Sequence, residues 1–202
     1  MDSATTLRPL TGRIIAVVAA VIALISAGSL FFAPDGEDIA RGLAAPVLVL
    51  YLAWLMFWNP AVVIDDAGVV LVNVFRTVRL PWPAIDRIDT RWALELFTPY
   101  GKFTAWAAPA PGRHTAVRIQ PSEVRNLPDS AYIGGAVRPG DVPNSPSGDA
   151  STIIRLRLDA LRDAGHLDDR KLESSTADVR THWARVAILA ALVAAVVVSA
   201  LL

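Results

Sequence analysis

Three long runs of this chain carry no charge: Ile14 to Phe32, Leu43 to Trp58 and Val186 to Leu202. At the helical rise they extend roughly 28, 24 and 26 Å, against a bilayer hydrocarbon core of about 30 Å. Each is therefore expected to cross a membrane as a helix. Trp54 and Trp58 close the second run and Trp183 precedes the third, and amphipathic rings of this kind settle at the membrane–water boundary. The first two runs are expected to form a helical hairpin, and one soluble insert separates them from the third. A cleaved signal peptide is the competing reading of the first run, since Arg13 precedes it and Ser26-Ala27-Gly28 resembles a processing site. The apolar run continues past that site through Phe31 and Phe32, which favours the hairpin.

The arginines orient these helices. Arg8 and Arg13 precede the first run, while the connection from Ala33 to Gly42 holds Asp35, Glu37 and Asp38 against Arg41 alone. Arg76, Arg79, Arg87 and Arg91 follow the second run, and Arg170, Lys171, Arg180 and Arg185 precede the third. Positive residues stay on the cytoplasmic side, so the N-terminus and the insert are expected in the cytoplasm of an inner (plasma) membrane protein. A formal net charge of +0 argues against a nucleic-acid partner, which needs a broad basic face. The chain has no cysteine, which removes disulfides and thiolate chemistry from consideration. Its basic residues are nearly all arginine, and alanine and valine abound, as in GC-rich bacterial genomes.

Within the insert the hydrophobic period changes. Ala61 to Asp65 and Val69 to Phe75 are β-branched and apolar, and Asp65-Asp66-Ala67-Gly68 between them suits a turn. A second turn is expected at Arg76-Thr77, before a strand from Val78 to Leu80. In Pro81-Trp82-Pro83-Ala84-Ile85, Pro83 fits the start of a short helical turn that buries Trp82 and Ile85. A further strand pair is expected at Trp92 to Phe97 and Phe103 to Ala107, around a turn at Pro99 to Lys102.

After Ala108 prolines and glycines break up the chain. Pro109 to Gly148 is expected to be a long surface segment outside the core, a spacer or docking element, with room for one strand at Ala116 to Ile119 and with Tyr132 and Ile133 as its apolar anchor. A helix is expected from Ser151 as N-cap to Gly165, with Ile154, Leu158 and Leu161 on one face and Leu167 closing a Schellman-type contact. The alternation from Ile154 to Leu158 would also suit a strand; the capped ending favours the helix.

Taken together, these residues resemble the bacterial pleckstrin-homology-like (PH-like) membrane proteins common in actinobacteria. The resemblance rests on Val62 to Asp65, the Asp66-Ala67-Gly68 turn, Phe75-Arg76, and Val78-Arg79-Leu80-Pro81-Trp82 with Ile85 three residues on. It extends to Leu96 through Gly101 and to Ala105-Trp106-Ala107, covering Pro46 to Gly112 well and Ser151 to Gly165 more loosely. It implies an α+β fold: a transmembrane helical hairpin, a small antiparallel split barrel with a C-terminal helix, and here a third transmembrane helix. The expected domains are 1–58 for the hairpin, 59–167 for the PH-like domain with its loop at 109–150, and 168–202 for a linker and the last helix. The resemblance implies no defined ligand.

No local signature points to an enzyme. His114, His166 and His182 stand far apart and outside metal-ligand spacing, and no nucleophile elbow, P-loop or dinucleotide fingerprint occurs. Asp65-Asp66 and Asp168-Asp169 read as solvated acids in a turn and after a helix. The expectation is a non-enzymatic protein that needs no cofactor and no metal. Its binding residues are expected among Arg76, Arg79, Arg87 and Arg91, with Tyr132 and Ile133, and its partners are membrane lipids or a membrane or cytoplasmic protein. Arginines near an anionic bilayer each gain about 1 kcal/mol. The alternative is a small structural subunit of a membrane complex, in which the helices carry the interface.

Overall fold

The β-branched residues of the insert pair as the alternation requires. In the computed structural model, which describes residues 4–32, 38–112, 132–133, 136–137, 139–167 and 176–201, strands β2 (Ala61–Ile64) and β3 (Gly68–Val72) form the first hairpin. Their register runs from Ala61 opposite Val72 to Ile64 opposite Val69. The turn is held by Asp65, whose Oδ1 accepts from the amides of Ala67 and Gly68 at 2.9 Å each. Gly68 has no alternative, because a Cβ there would stand 2.0 Å from the carbonyl oxygen of Leu80 on the neighbouring strand.

Strand β4 (Arg76–Pro81) begins two residues earlier than expected, and the turn sits at Asn73–Phe75 rather than at Arg76-Thr77. Asn73 is the cause. Its amide donates to the Arg76 carbonyl at 2.9 Å, its Nδ2 donates to the Thr104 carbonyl at 2.9 Å and its Oδ1 accepts from the Trp106 amide at 2.8 Å. A buried polar side chain with these partners stops one strand and ties the turn to another.

The chain divides into two compact units, Met1–Pro9 with Ala61–Arg180, and Leu10–Pro60 with Thr181–Leu202. In the first unit β1 (Thr5–Leu7) and β10 (Asp178–Thr181) complete a five-stranded sheet of order β1-β2-β3-β4-β10. Neither edge strand is expected from the sequence, because each is three or four residues of mixed polarity with no alternation to mark it. A second sheet, β5-β6-β7, comprises Arg87–Asp89, Ala93–Thr98 and Gly101–Pro109. Strand β6 buries Leu94, Leu96 and Thr98, the period of two that one covered face imposes. Between the sheets Trp82–Ala84 form a single 3-10 turn closed by the Ile85 amide on the Trp82 carbonyl at 3.2 Å. Trp82 and Ile85 are both buried, as expected, and the indole N–H donates to the Asp65 carbonyl at 3.1 Å.

Helix α3 (Pro146–Asp163) packs Ala150, Ile154 and Leu158 into the core that both sheets share. Its start corrects two expectations: Ser151 is not the N-cap, and the loop from 109 to 150 does not run unbroken to the helix. The cap is Ser145, whose Oγ accepts from the Gly148 amide at 3.0 Å, with Pro146 in the first turn. Serine before proline is a sound helix start, but the flanking prolines and glycines disguise it in the sequence. Pro139–Asp141 form a 3-10 turn, and two-residue strands β8 (Tyr132–Ile133) and β9 (Ala136–Val137) pair with each other. The expected strand at 116–119 lies outside the described residues. The helix ends as expected: Gly165 has φ +70°, its amide donates to the Arg162 carbonyl, and the His166 amide donates to the Leu161 carbonyl at 3.0 Å. This is the Schellman pairing, and Leu167 packs on the core behind it.

Residues 139–148 belong to the core rather than to a dispensable surface segment. Asp141, Val142, Ser145 and Ser147 are buried. Asp141 Oδ1 accepts from Thr90 Oγ1 at 2.9 Å and Ser151 Oγ at 2.8 Å, while Oδ2 lies 2.9 Å from Arg155 Nη1. Gly140 lets this segment close on the sheet, since a Cβ would lie 1.7 Å from the Thr90 carbonyl oxygen.

The second unit holds α1 (Leu10–Ser29), α2 (Asp38–Ala53) with a π-helical extension at Trp54–Trp58, and α4 (Trp183–Leu201). Leu10–Phe32, Arg41–Trp58 and Trp183–Leu201 are long and apolar enough to cross a membrane. Helix α2 packs against both α1 and α4. The buried residues of α1 are Gly12, Ala16 and Ala23, small residues of the kind that let helices approach closely in a bilayer.

Candidate binding surfaces

Tryptophan and arginine meet at one end of the helical unit. The Arg13 guanidinium lies 5.5 Å from the Trp58 ring and that of Arg185 lies 5.5 Å from the Trp54 ring. Arg185 Nη2 also lies 3.3 Å from Asn59 Oδ1, and the Tyr51 hydroxyl donates to the Arg185 carbonyl at 2.9 Å. The start of α1, the end of α2 and the start of α4 thus share one level, which is where the sequence leads one to expect interfacial aromatics. Cation–π contact adds about 0.5–1 kcal/mol at exposed sites.

Arg76, Arg79, Arg87 and Arg91 are spread over β4, β5 and the turn after β5. Arg76 opens β4 beside the Asn73 turn, and Arg79 projects from the outward face of the same strand, opposite Val70 in register. Arg87 lies in β5 with its guanidinium 4.0 Å from the Phe97 ring. Arg91 follows β5 and stands 5.6 Å from the exposed Trp92 ring. All four are exposed. The backbone of Tyr132 and Ile133 is described in β8, and their side chains lie outside the described part.

Two groupings emerge that sequence reasoning missed. The first surrounds the Asn73 turn, where Phe75 is 38% exposed, Trp106 is 50% exposed and Arg76 is free of ion pairs among the described residues. Asn73 brings them together, because its side chain bonds the Trp106 amide directly. A polar residue breaking an apolar strand was the available signal. The second is a cavity of about 200 Å³ between β5 and α3. Arg155, Leu158, Asp159 and Arg162 line it from the helix, at the spacing of a single helical face, and Arg87 faces them from β5. The i, i+3, i+4, i+7 pattern is present in the sequence, but the alternation of Arg155 and Arg157 with leucines hides which arginine points inward.

Among the described residues no three metal-binding side chains gather. His114, Lys171 and the Asp168-Asp169 pair lie outside the described residues.

Residues 59–131 match the family model described as Bacterial PH domain. The chain carries a bacterial PH domain. No curated protein and no solved structure matches it. The matched interval contains strands β2 to β7 and the Trp82 turn, the part of the fold on which the resemblance rests. With three helices of membrane-crossing length and apolarity, the whole fits a membrane-associated PH-domain protein.

Proposed function

We propose that this protein is a membrane-anchored, non-enzymatic binding module whose PH domain engages an anionic partner at the cytoplasmic face of the inner membrane. The observation that carries this reading is the exposed edge at the Asn73 turn, where Phe75 and Arg76 follow Asn73 in the chain, Arg76 makes no ion pair among the described residues, and the Asn73 side chain accepts from the amide of the exposed Trp106. Aromatic rings beside a cation suit an acidic lipid surface, where each basic residue gains about 1 kcal/mol and Trp and Phe enter the interfacial zone. They suit an acidic protein segment through the same charge complementarity.

The full chain in nanodiscs tests this. Arg76→Glu combined with Trp106→Ala should remove the protection of residues 73–76 against hydrogen exchange that phosphatidylglycerol confers over a neutral lipid. If that protection never appears, and pull-down from bacterial membranes is equally unaffected by the variant, the edge is not a binding surface.

The cytoplasmic orientation has its own check, since the chain has no native cysteine. Ala160→Cys, on the exposed face of α3, should resist an impermeant thiol reagent in intact cells, while Gly36→Cys reacts. Reaction at position 160 alone would reverse the topology. Ser147 would be a poor labelling site, because it is fully buried and its hydroxyl donates to the Gly140 carbonyl at 2.6 Å.

A second reading, a structural subunit of a membrane complex, draws on α4, none of whose described residues is buried. Co-purification of a stoichiometric membrane partner would favour it.

A further inference from the structure

The helical unit carries a groove that its own side chains leave open. Ala16 and Ala20 line it from α1, Ala53 from α2, and Trp54 and Trp58 from the π-helical extension. Its volume is about 280 Å³, and every lining residue is apolar. Sites for whole small molecules run from roughly 300 to 1,000 Å³, so the groove has room for part of one hydrocarbon chain. The helices that form it are long and apolar enough to cross a membrane, and there the chains at hand are those of the lipids.

The π turn sets the shape of this end. The Asn59 amide donates to the Trp54 carbonyl at 2.9 Å, an i→i+5 bond. Turns of this kind are rare and gather at functional positions. This one carries both tryptophans of the groove.

Two cations stand at the same end. The Arg13 guanidinium is held on the Trp58 ring and that of Arg185 on the Trp54 ring, each at 5.5 Å. A ring contact steadies a guanidinium without cancelling its charge, and the in-plane N–H donors stay available. The Asn59 side chain that Arg185 also meets is neutral. Arg13 is exposed and forms no ion pair among the described residues. The acidic residues of this unit, Asp35, Glu37 and Asp38, all fall between α1 and α2 in the chain or at the first residue of α2. Trp54 follows Asp38 by sixteen residues, about 24 Å along a helix. Within the unit, the tryptophan end therefore carries positive charge that no acid at that level offsets.

We propose that the groove between α1 and the π-helical end of α2 holds one acyl chain of an anionic phospholipid, whose phosphate is engaged by Arg13 and Arg185. The apolar lining takes the chain, and the two guanidinium groups supply charge-assisted hydrogen bonds to the phosphate oxygens. A zwitterionic headgroup brings its own ammonium and gains less. This site rests on the helices lying in a bilayer and is independent of the Asn73 edge.

The test places the full chain in phosphatidylcholine bilayers and adds a small fraction of phosphatidylglycerol brominated on its acyl chains, which quenches tryptophan on contact. Brominated phosphatidylcholine is the reference. One arginine at an anionic headgroup is worth about five-fold in binding. Phosphatidylglycerol should therefore be preferred by at least that factor, with the preference reduced in Arg13→Gln and absent from the Arg13→Gln, Arg185→Gln double variant. Trp54→Phe with Trp58→Phe should remove the preferential share of the quenching, because it arises in the groove. Ala20→Phe, which fills the groove, should weaken it as well; if that variant separates the helices, the arginine and tryptophan variants decide. The Arg76→Glu, Trp106→Ala variant should keep the full preference, so that failure of this site and failure of the Asn73 edge are told apart. Equal quenching by the two lipids, or a preference that survives the arginine or the tryptophan variants, would overturn the proposal. Quenching that declines as the protein-to-lipid ratio rises would overturn it in favour of a second copy of the chain covering the groove.

Discussion

The PH domain and the helical unit are both rich in valine, leucine and alanine, yet they use these residues in opposite ways. In the domain Val62, Val69, Leu71, Val78, Leu80 and Leu96 turn inward onto a shared core. In the helices Ile14, Val17, Ile22 and Ile25 of α1 and Val193, Val197 and Val198 of α4 turn outward. The difference is the one that two solvents, water and lipid, would impose. Water drives roughly 25 cal/mol per Å² of apolar surface inward, whereas lipid is as apolar as the side chains and leaves close packing of small residues to join helices. A buried polar group therefore carries different meaning in the two units. In the domain Asn73, Asp141 and Arg155 are interior fixtures, whereas Arg13 and Arg185 of the helical unit lie beside Trp58 and Trp54 at one end.

The largest expected break in this contrast is deletion of Pro139 to Gly148. A loop of that length would ordinarily be removed at little entropic cost. Here the deletion takes away Asp141, the Ser145 cap and the first turn of α3, and strands Arg155 in the core without its counter-ion. Removing one partner of a buried pair alone costs about 3–5 kcal/mol. The full chain in micelles should lose the cooperative thermal transition of the domain while α1, α2 and α4 keep their helical signal. A transition preserved at the native temperature would show that 139–148 is peripheral after all.

How much of this could be read beforehand depended on periodicity. The membrane runs, the β2–β3 hairpin, the buried Trp82 and Ile85 and the glycine stop at Gly165 all announce themselves through pattern or turn chemistry within a few residues. The start of α3 did not, because Pro146 and Gly148 read as loop breakers when the cap is placed too late, and only the tertiary closeness of Gly140 to Thr90 reveals that the segment is packed. Strands β1 and β10 escaped for a different reason: an edge strand of three or four residues borrows its conformation from the neighbour it pairs with. The same holds for the candidate sites. Arginines close in sequence invite grouping, but β4, β5 and the loop after β5 carry Arg76, Arg79, Arg87 and Arg91 apart, and the burial of Arg155 is set by Asp141 and Thr90, fourteen and sixty-five residues away.

A smaller but sharper effect is expected from Trp82→Ala. It empties a buried indole volume, worth about 3–5 kcal/mol for an aromatic-to-alanine change, and leaves the Asp65 carbonyl without its indole donor. That is a large share of the 5–15 kcal/mol typical of a whole domain. The domain transition of the full chain should fall well below that of the native protein while Arg13, Trp54 and Trp58 keep the helical unit unchanged. An unshifted transition would place Trp82 outside the load of the core.

The smallest effect tests the other side of the comparison. Val193→Ala with Val197→Ala trims two exposed residues one turn apart on α4. If lipid alone covers that face, the shortened side chains exchange one apolar contact for another, and each substitution should stay within about 0.5 kcal/mol, as for surface changes elsewhere. The measurement is thermal unfolding in nanodiscs, with the double variant compared at several protein-to-lipid ratios. A cost of about 2 kcal/mol or more would mean that α4 packs against protein, since only a fitted surface penalises a lost methyl pair so heavily. Dependence of that cost on protein-to-lipid ratio would then identify a second copy of this chain as the covering surface. Independence would point to a different membrane partner, and the outward-facing valines would have to be counted as an interface rather than as lipid contact.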